Sequence, residues 1–436
     1  MVARILLIGS GAREHAMAVA LKKSGALVYA VMKNVNPGIR ALSERVLLHD
    51  ELDAPAITDF AKQNAVDFAV AGPEAPLAVG VTNALEKTGV QCASPSREAA
   101  QLETNKLFTR DLMRRAQLPC QAPWQVFENS NEVREFIENA SSAVIKPLGL
   151  TGGKGVKILG ETLATKQDAI AYASELIKKD GRVLVEEKLV GEEFTLQAFV
   201  AGGDCTSMPL VQDFKRAYEG DTGPMTGGMG SYSDSNHLLP FVPARARDAA
   251  LEAMRATVRE LKKRFGFEYN GALYGQFMLT RDGPRLIEYN ARFGDPEAMN
   301  VLSLLESDYV ELCQQMIGGN APQAQFTRKA TVVKYVVPAG YPDSPQAGKE
   351  IRVDETKLNE NQRIYYAAVN ERDGRIYSTA SRALGVLAFG NSIDEAEKSA
   401  LNALSAVSGQ IYYRRDIASR ELIQKKIEKM RALTSR

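Results

Sequence analysis

Histidine is scarce in this sequence: His15, His49 and His237 are the only three among 436 residues. Three scattered imidazoles leave little for a histidine-ligated metal centre or a catalytic dyad. Cysteine is nearly as scarce, with Cys92, Cys120, Cys205 and Cys313 far apart and no CxxC pair. That spacing argues against a zinc site or a disulfide framework, and a reducing cytoplasm suits it. Net charge is almost nil, at +1. So balanced a chain has no basic footprint for nucleic acid and no acidic tail, and any affinity for anions must be local. Long apolar runs are missing too. The run at 5–8 is too short for a signal peptide, and nothing approaches the roughly 20 residues of a membrane span.

What is present is an enzyme-sized chain. It exceeds the ~250–300 residues at which single cores stop growing, so two to four domains are expected. The first hundred residues alternate. Strand RILLIG, a helix through SGAREHAMAVALKKSG and strand LVYAVMKN are followed by helices near 57–63 and 77–87 that lead into FAVAG and VQCAS. Such alternation predicts a parallel, doubly wound sheet. The turn Gly9-Ser10-Gly11-Ala12-Arg13-Glu14 fails as a dinucleotide fingerprint twice. Glu14 stands where the third glycine belongs, and the second strand ends in Lys33-Asn34 rather than an acid. A helix N-terminus with Arg13 in its first turn suits a phosphate instead. GPEAP at 72–76 lies at the same carboxyl edge, as a second ligand loop or simply a rigid turn before a helix.

The run AVIKPLGLTGGKGVKI at 143–158 sets two β-rich ends around Gly149, Gly152, Gly153 and Gly155, with Lys146 and Lys154 flanking. Glycines let backbone N–H groups crowd an anion and lysines add charge, so this is a phosphate cradle or an ordinary Gly-rich hairpin. It is no P-loop, because Gly155 and a strand follow Lys154. The segment 96–119 reads as helical, with Lys106 either solvated or reaching a phosphate. PWQVF, helices near 132–139 and 169–179, and RVLVEEKL follow. In VLVEEKLVGEEF, Glu186, Glu187, Glu192 and Glu193 flank a turn. An exposed strand's backbone suits an adenine edge and a carboxylate suits a ribose diol; a charge-guarded surface edge is the alternative.

The stretch 213–233, DFKRAYEGDTGPMTGGMGSYS, is too polar and glycine-rich for a core element and reads as a folded binding loop. After a helix at 244–265, YNGALYGQFMLT and RLIEYNARFGDPEA form a β-hairpin. Glu288, Asn290 and Arg292 alternate and so share one face of its return strand. With Gln276 on the partner strand, that face offers oxygen donors for Mg2+ beside a phosphate, or is merely solvated. The last hundred residues read as a small α+β cap ending in a basic amphipathic helix, ELIQKKIEKMRALTSR, whose charged face is solvated rather than a membrane anchor.

GSGAREHA, VAGPEAPL, VIKPLGLTGGKGV, VEEKLVGEEF, DTGPMTGGMGSYS and IEYNARFGDPEA occur in this order almost end to end. In them the chain resembles the ATP-grasp carbon–nitrogen ligases, specifically the phosphoribosylamine–glycine ligase family and an archaeal-like branch of it. It departs from the familiar bacterial loop at Pro147, Leu148, Thr151 and Gly153, and has Met225 and Tyr289 where Asn and Phe are common. The glycines and lysines stay intact. Other ATP-grasp ligases, biotin carboxylases and an inactive nucleotide-binding protein are the rival assignments.

The resemblance implies a fold of α/β and α+β parts: a parallel pre-ATP-grasp sheet domain, a two-part ATP-grasp fold and a small C-terminal α+β domain. The implied divisions are 1–100 on the phosphoribosylamine side, a helical connection 101–122, a lid 123–192, a central domain 193–327 and the cap 328–436. It implies ATP-dependent ligation of glycine to 5-phosphoribosylamine through glycyl phosphate, with Mg2+ or Mn2+. The partners are small molecules, not nucleic acid or membrane, and the chain is a monomer or weak dimer. Implied for ATP are Lys106, Lys146, Gly152, Gly153 and Lys154 on phosphates, 186–189 (including Glu186, Glu187 and Leu189) on adenine, and Glu193 on ribose. The 147–155 loop is to cover the β- and γ-phosphates. Glu288, Asn290 and Gln276 are implied metal ligands, and Arg292, Lys154, Asp213 and Lys215 the catalytic set. Gly11, Arg13, Glu14, Pro73 and Glu74 would hold phosphoribosylamine, with Asp213, Lys215, Gly228, Met229 and Gly230 closing over the substrates.

Overall fold

The computed structural model describes residues 2–149 and 155–435. The expected parallel sheet orders its strands Ser43–Leu48, Leu27–Met32, Arg4–Ile8, Phe68–Ala71 and Gln91–Cys92. Ile5 to Ile8 are fully buried, because helices cover both faces of a parallel sheet. Strand Ser43–Leu48 was not legible, since as an edge strand it is largely accessible and its first half, Ser43-Glu44-Arg45, is polar. The single helix expected at 77–87 is two, Glu74–Val79 and Val81–Lys87, parted at Gly80 with φ +81°. The helix expected across 96–119 also breaks. Asn105 turns extended and its side chain accepts the Phe108 N–H, so Lys106 opens the new helix Lys106–Arg115.

Two antiparallel sheets follow. Trp124–Phe127, Val183–Glu186, Val144–Lys146 and Lys157–Ile158 form one, covered by helices Ser130–Asn139 and Lys166–Asp180. Phe127, Ile137, Ile145 and Ala169 give it an apolar cluster of its own. The other orders Asp204–Ser207, Glu192–Ala201, Gly271–Thr280 and Gly283–Asn290, backed by helix Ala244–Phe265. Its last two strands are the predicted hairpin, with a bulge after Gln276.

The C-terminal sheet orders Gln212–Asp213, Gly230–Ser233, Ala330–Pro338, Leu384–Gly390 and Gln362–Tyr366. Segment 213–233 is thus not one long loop. Its two ends are strands, and its middle is the hairpin Arg216–Tyr218 with Thr222–Met225. Polar side chains sit in this core because they bond one another: Tyr232 to Gln212, Ser231 to Asn300, Ser233 to Thr331. The cap packs on the N-terminal unit, with Asn36 Nδ2 donating to Tyr366 O at 2.7 Å and Tyr366 N to His15 Nδ1 at 2.9 Å. The final helix, Arg420–Thr434, is amphipathic as expected: it buries Leu422, Ile423 and Met430 and leaves most of its charged side chains solvated. Among the described residues no helix is long and apolar enough to cross a membrane.

Candidate active site

A cavity of about 490 Å3 opens where the carboxyl edge of the parallel sheet meets the hairpin strand Gly283–Asn290 and the C-terminal cap. Arg13, Pro73, Glu74, Lys106, Asp213, Lys215, Gln276, Glu288, Asn290 and Arg292 line it. Residues spread over nearly three hundred positions therefore share one wall.

The N-terminal turn serves this cavity through Glu14. Its carboxylate accepts the Gly11 N–H at 2.6 Å and the Arg13 Nε–H at 2.5 Å. A Cβ on Gly72 would collide with the same carboxylate, so the two turns pack only because that position is glycine. Glu14 was expected to touch substrate. It is 2 % exposed and holds the turns together instead, while Gly11 donates its N–H inward. Arg13 does reach the cavity, donating to Phe293 O at 3.1 Å.

Arg292 is the hub of the next group. It lies 3.0 Å from Glu103 and 3.4 Å from Glu74, and donates to Asn290 Oδ1 at 3.3 Å. Its buried Nε lies within ion-pair range of Glu74 but makes no hydrogen bond. Burial alone would raise the Glu74 pKa, but the Arg292 and Arg13 guanidiniums outweigh it and hold that carboxyl at about 2. At Glu103 burial wins over Arg292 and pushes the value up to about 7.

Lys215 stands 3.2 Å from both Glu193 and Asp213, and Gln276 Nε2 donates to Glu193 at 2.5 Å. Burial opposes ionisation of Glu193, yet Lys215 keeps its pKa below the usual value; burial raises that of Asp213. Glu297, beside Tyr274 and Thr195, is raised to about 7 by burial and then by the Asp213 charge.

At the far end, Lys106 Nζ donates to Gly149 O at 3.0 Å. Burial lowers its pKa, against the pull of Glu288. Lys146 was expected on phosphate, and Glu186 to line the adenine through its strand backbone. Here their charged groups are spent on each other at 2.5 Å, with Arg110 on the second Glu186 oxygen at 2.6 Å, because buried charges must pair. Glu187 is exposed and Leu189 half-buried, neither on the cavity wall. Gly152, Gly153 and Lys154, and with them the covering role of the 147–155 loop, lie outside the described residues. Gly228 gives its carbonyl to Arg382 at 3.0 Å. Met229 and Gly230 were expected against substrate and are not there. Met229 is fully buried in the apolar core, and Gly230 belongs to a strand packed closely on Val333.

Among the described residues no group of three or more His, Cys, Asp or Glu side chains is placed to hold a metal. Glu288 and Asn290 offer one carboxylate and one amide oxygen at the cavity wall. That set fits an Mg2+-type ion, which draws its remaining ligands from phosphates and water. Gln276 is less free, since its Oε1 takes the Tyr274 hydroxyl at 3.4 Å and its amide N–H serves Glu193.

Sequence reasoning missed Glu103, Arg110, Thr226, Asp295, Glu297 and Arg382, all on the cavity wall. Asp295 and Glu297 sit in the quoted RFGDPEA run, where the acids were a usable signal. Glu103 and Arg110 were hidden in a segment read as one continuous helix. Arg382, which donates to Gly227 O at 2.7 Å and faces Asp295 at 3.3 Å, had no local signal at all.

Three family models for phosphoribosylglycinamide synthetase match the chain in succession: the N domain over 3–103, the ATP-grasp (A) domain over 104–298 and the C domain over 331–420. The phosphoribosylamine–glycine ligase of Methanothermobacter thermautotrophicus is 50% identical over 438 residues, covering 99% of this chain and 100% of its own. The crystal structure of phosphoribosylamine–glycine ligase from Thermotoga maritima superposes with a TM-score of 0.80 at 29% identity, covering 95% of this chain and 100% of that one. A biotin carboxylase β,γ-ATP complex from Campylobacter jejuni shares the fold alone, at TM-score 0.73 and 15% identity over 99% of this chain and 95% of that one. The chain belongs to the phosphoribosylamine–glycine ligase family of ATP-grasp enzymes.

Proposed function

We propose how this cavity performs the family's ATP-dependent ligation of glycine: through glycyl phosphate, with the nucleotide at one end and 5-phosphoribosylamine at the other. A glycine carboxylate oxygen attacks the γ-phosphorus of ATP and ADP leaves. The phosphoribosylamine nitrogen then attacks the acyl carbon, phosphate departs and the amine gives up a proton. Such chemistry needs positioning and neutralised charge more than covalent help, which accords with the shortage of histidine.

Lys106 and Lys154 serve the phosphates, with Lys146 held behind them by Glu186. The backbone of 186–189 receives adenine, and Glu193 the ribose. Glu288 and Asn290 hold the ion, Mg2+ or Mn2+, whose charge offsets that of the phosphate oxygens. Arg292 steadies charge during transfer beside Asp213 and Lys215, and Glu297, poised near neutrality, suits uptake of the amine proton. Arg13, Pro73 and Glu74 receive phosphoribosylamine. On this reading 1–100 is the phosphosugar side, 123–192 the lid and 193–327 the metal and glycine portion. The chain works in the cytoplasm as a monomer or weak dimer.

One observation carries this arrangement. A single guanidinium, that of Arg292, touches Asn290 at 3.3 Å on the metal side and Glu74 at 3.4 Å on the phosphosugar side. The test is incubation with ATP, Mg2+, glycine and freshly generated phosphoribosylamine, with ADP and amide product both measured. ADP release that ignores glycine and amine would sink the assignment.

A further inference from the structure

The helix Arg420–Thr434 starts where the family's C-terminal model stops, and none of the cavity-lining residues lies on it. Its apolar side chains join the cluster that holds Phe194 and Phe214. Its charged side does something more specific. Lys426 and Lys429, one turn apart, converge on Glu192: Lys426 Nζ is 3.1 Å from one carboxylate oxygen and Lys429 Nζ 2.7 Å from the other. Lys426 also lies 3.8 Å from Asp221 and over the Phe214 ring, whose neighbourhood holds the fully buried Arg414 as well. Arg414 in turn bonds Asp221 Oδ1 at 2.8 Å and Arg216 O at 3.0 Å.

The chain neighbours of these contacts are active-site residues. Successive side chains of a strand point to opposite faces. Glu192 turns toward the helix, while Glu193 meets Lys215 and Gln276 on the cavity side. Phe214 likewise takes the two cations, and Lys215, next in sequence, lines the cavity. The last helix therefore grips both partners of the Glu193–Lys215 pair through the residue before each. The Lys426–Glu192 pair is largely buried and Lys429 is half exposed, and neither kind of pair is a strong source of net stability. Two lysines on one carboxylate make better sense as a register device than as added stability.

We propose that Lys426 is a positioning residue for the ligation, holding the Glu192–Glu193 edge and the Phe214–Lys215 arm at the separation the Glu193–Lys215 pair needs. This rests on the assignment of that pair to the active site. The test compares Lys426→Met, which keeps the apolar stem, with Lys426→Arg and with Glu193→Gln in the full-length enzyme, by steady-state kinetics in ATP and in glycine. Whichever constant Glu193→Gln shifts, the KM for ATP if Glu193 holds the ribose, should shift the same way in Lys426→Met by roughly tenfold. Lys426→Arg should restore it to near the parent value. If Glu193→Gln shifts glycine instead and Lys426→Met follows, the positioning role stands and the ribose role falls. A Lys426→Met enzyme with unchanged constants overturns the proposal. So does one in which every constant worsens together with thermal stability, or a Glu193→Gln enzyme with no kinetic change. If Lys426→Met does not fold, Glu192→Gln is judged by the same criteria.

Discussion

The Glu103 carboxylate holds Arg292 in place from two directions, pairing with its guanidinium at 3.0 Å and accepting the N–H of Ala291, the preceding residue, at 2.7 Å. Glu103 comes from the short helix Gln101–Thr104 and Arg292 from just beyond the strand Gly283–Asn290. One buried acid thus fixes both the charge and the backbone of the arginine at the centre of the site.

Replacing Glu103 with Ala should leave the Arg292 charge short of a counter-ion. Unfolding free energy should fall by about 3 kcal/mol, the size seen when one member of a buried pair is removed. Turnover should fall at least about tenfold, or ~1.4 kcal/mol of barrier. Denaturant titration and ADP formation measure the two. Unchanged turnover would separate Arg292 from the chemistry.

Glu288→Ala should abolish Mg2+-dependent ADP formation and leave folding intact. Its carboxylate makes no ion pair among the described residues, so little structure depends on it. Turnover equal to the parent's would remove Glu288 from the metal site.

Acid should weaken the enzyme through Glu186. Burial opposes its ionisation, but Arg110 and Lys146 hold its pKa at about 2, below the ordinary value of 4.5. A depressed carboxyl contributes stability that is present above about 4.5 and lost as pH falls toward 2. Glu186→Gln should be less stable at pH 7 by about 3 kcal/mol. Its urea midpoint should also fall less steeply than the parent's between pH 4.5 and 2. Parallel pH curves would contradict the pairing.

Glu297 has the opposite sign. Its value of about 7 exceeds the ordinary 4.5, so its stability contribution is full below 4.5 and lost as pH rises through 7. Glu297→Gln cannot ionise. Its melting temperature relative to the parent should therefore climb between pH 5 and pH 8, and amide formation should fall more than ADP formation if Glu297 takes the amine proton. A difference in melting temperature that is flat with pH would show that Glu297 is not held near neutrality.

Much of the site was legible because its signals are local. The alternation of Glu288, Asn290 and Arg292 follows from strand geometry, and the glycine turns at 9–11 and 72–76 announce themselves by composition. What stayed hidden depends on long-range pairing. Nothing around Arg382 says that it will meet Asp295, and nothing around Glu186 says that Arg110 and Lys146 will consume its charge. The polar segment 213–233 misled because Ser231 and Ser233 find partners far along the chain, in Asn300 and Thr331, and Tyr232 finds Gln212, which composition cannot show.

Strand Gly230–Ser233 pairs with Ala330–Pro338, which the ribosome makes much later. During synthesis Asp213 and Lys215 therefore emerge long before the sheet that seats them exists. Sheets closed by distant segments form late because loop closure must precede their contacts. A nascent chain halted before residue 330 would carry Lys106, Lys146 and the turns at 9–11 and 72–76, yet lack the seat for the cavity wall that Asp213 and Lys215 form. Ligase activity should accordingly be acquired all at once, only after the strand Ala330–Pro338 has been made, rather than domain by domain.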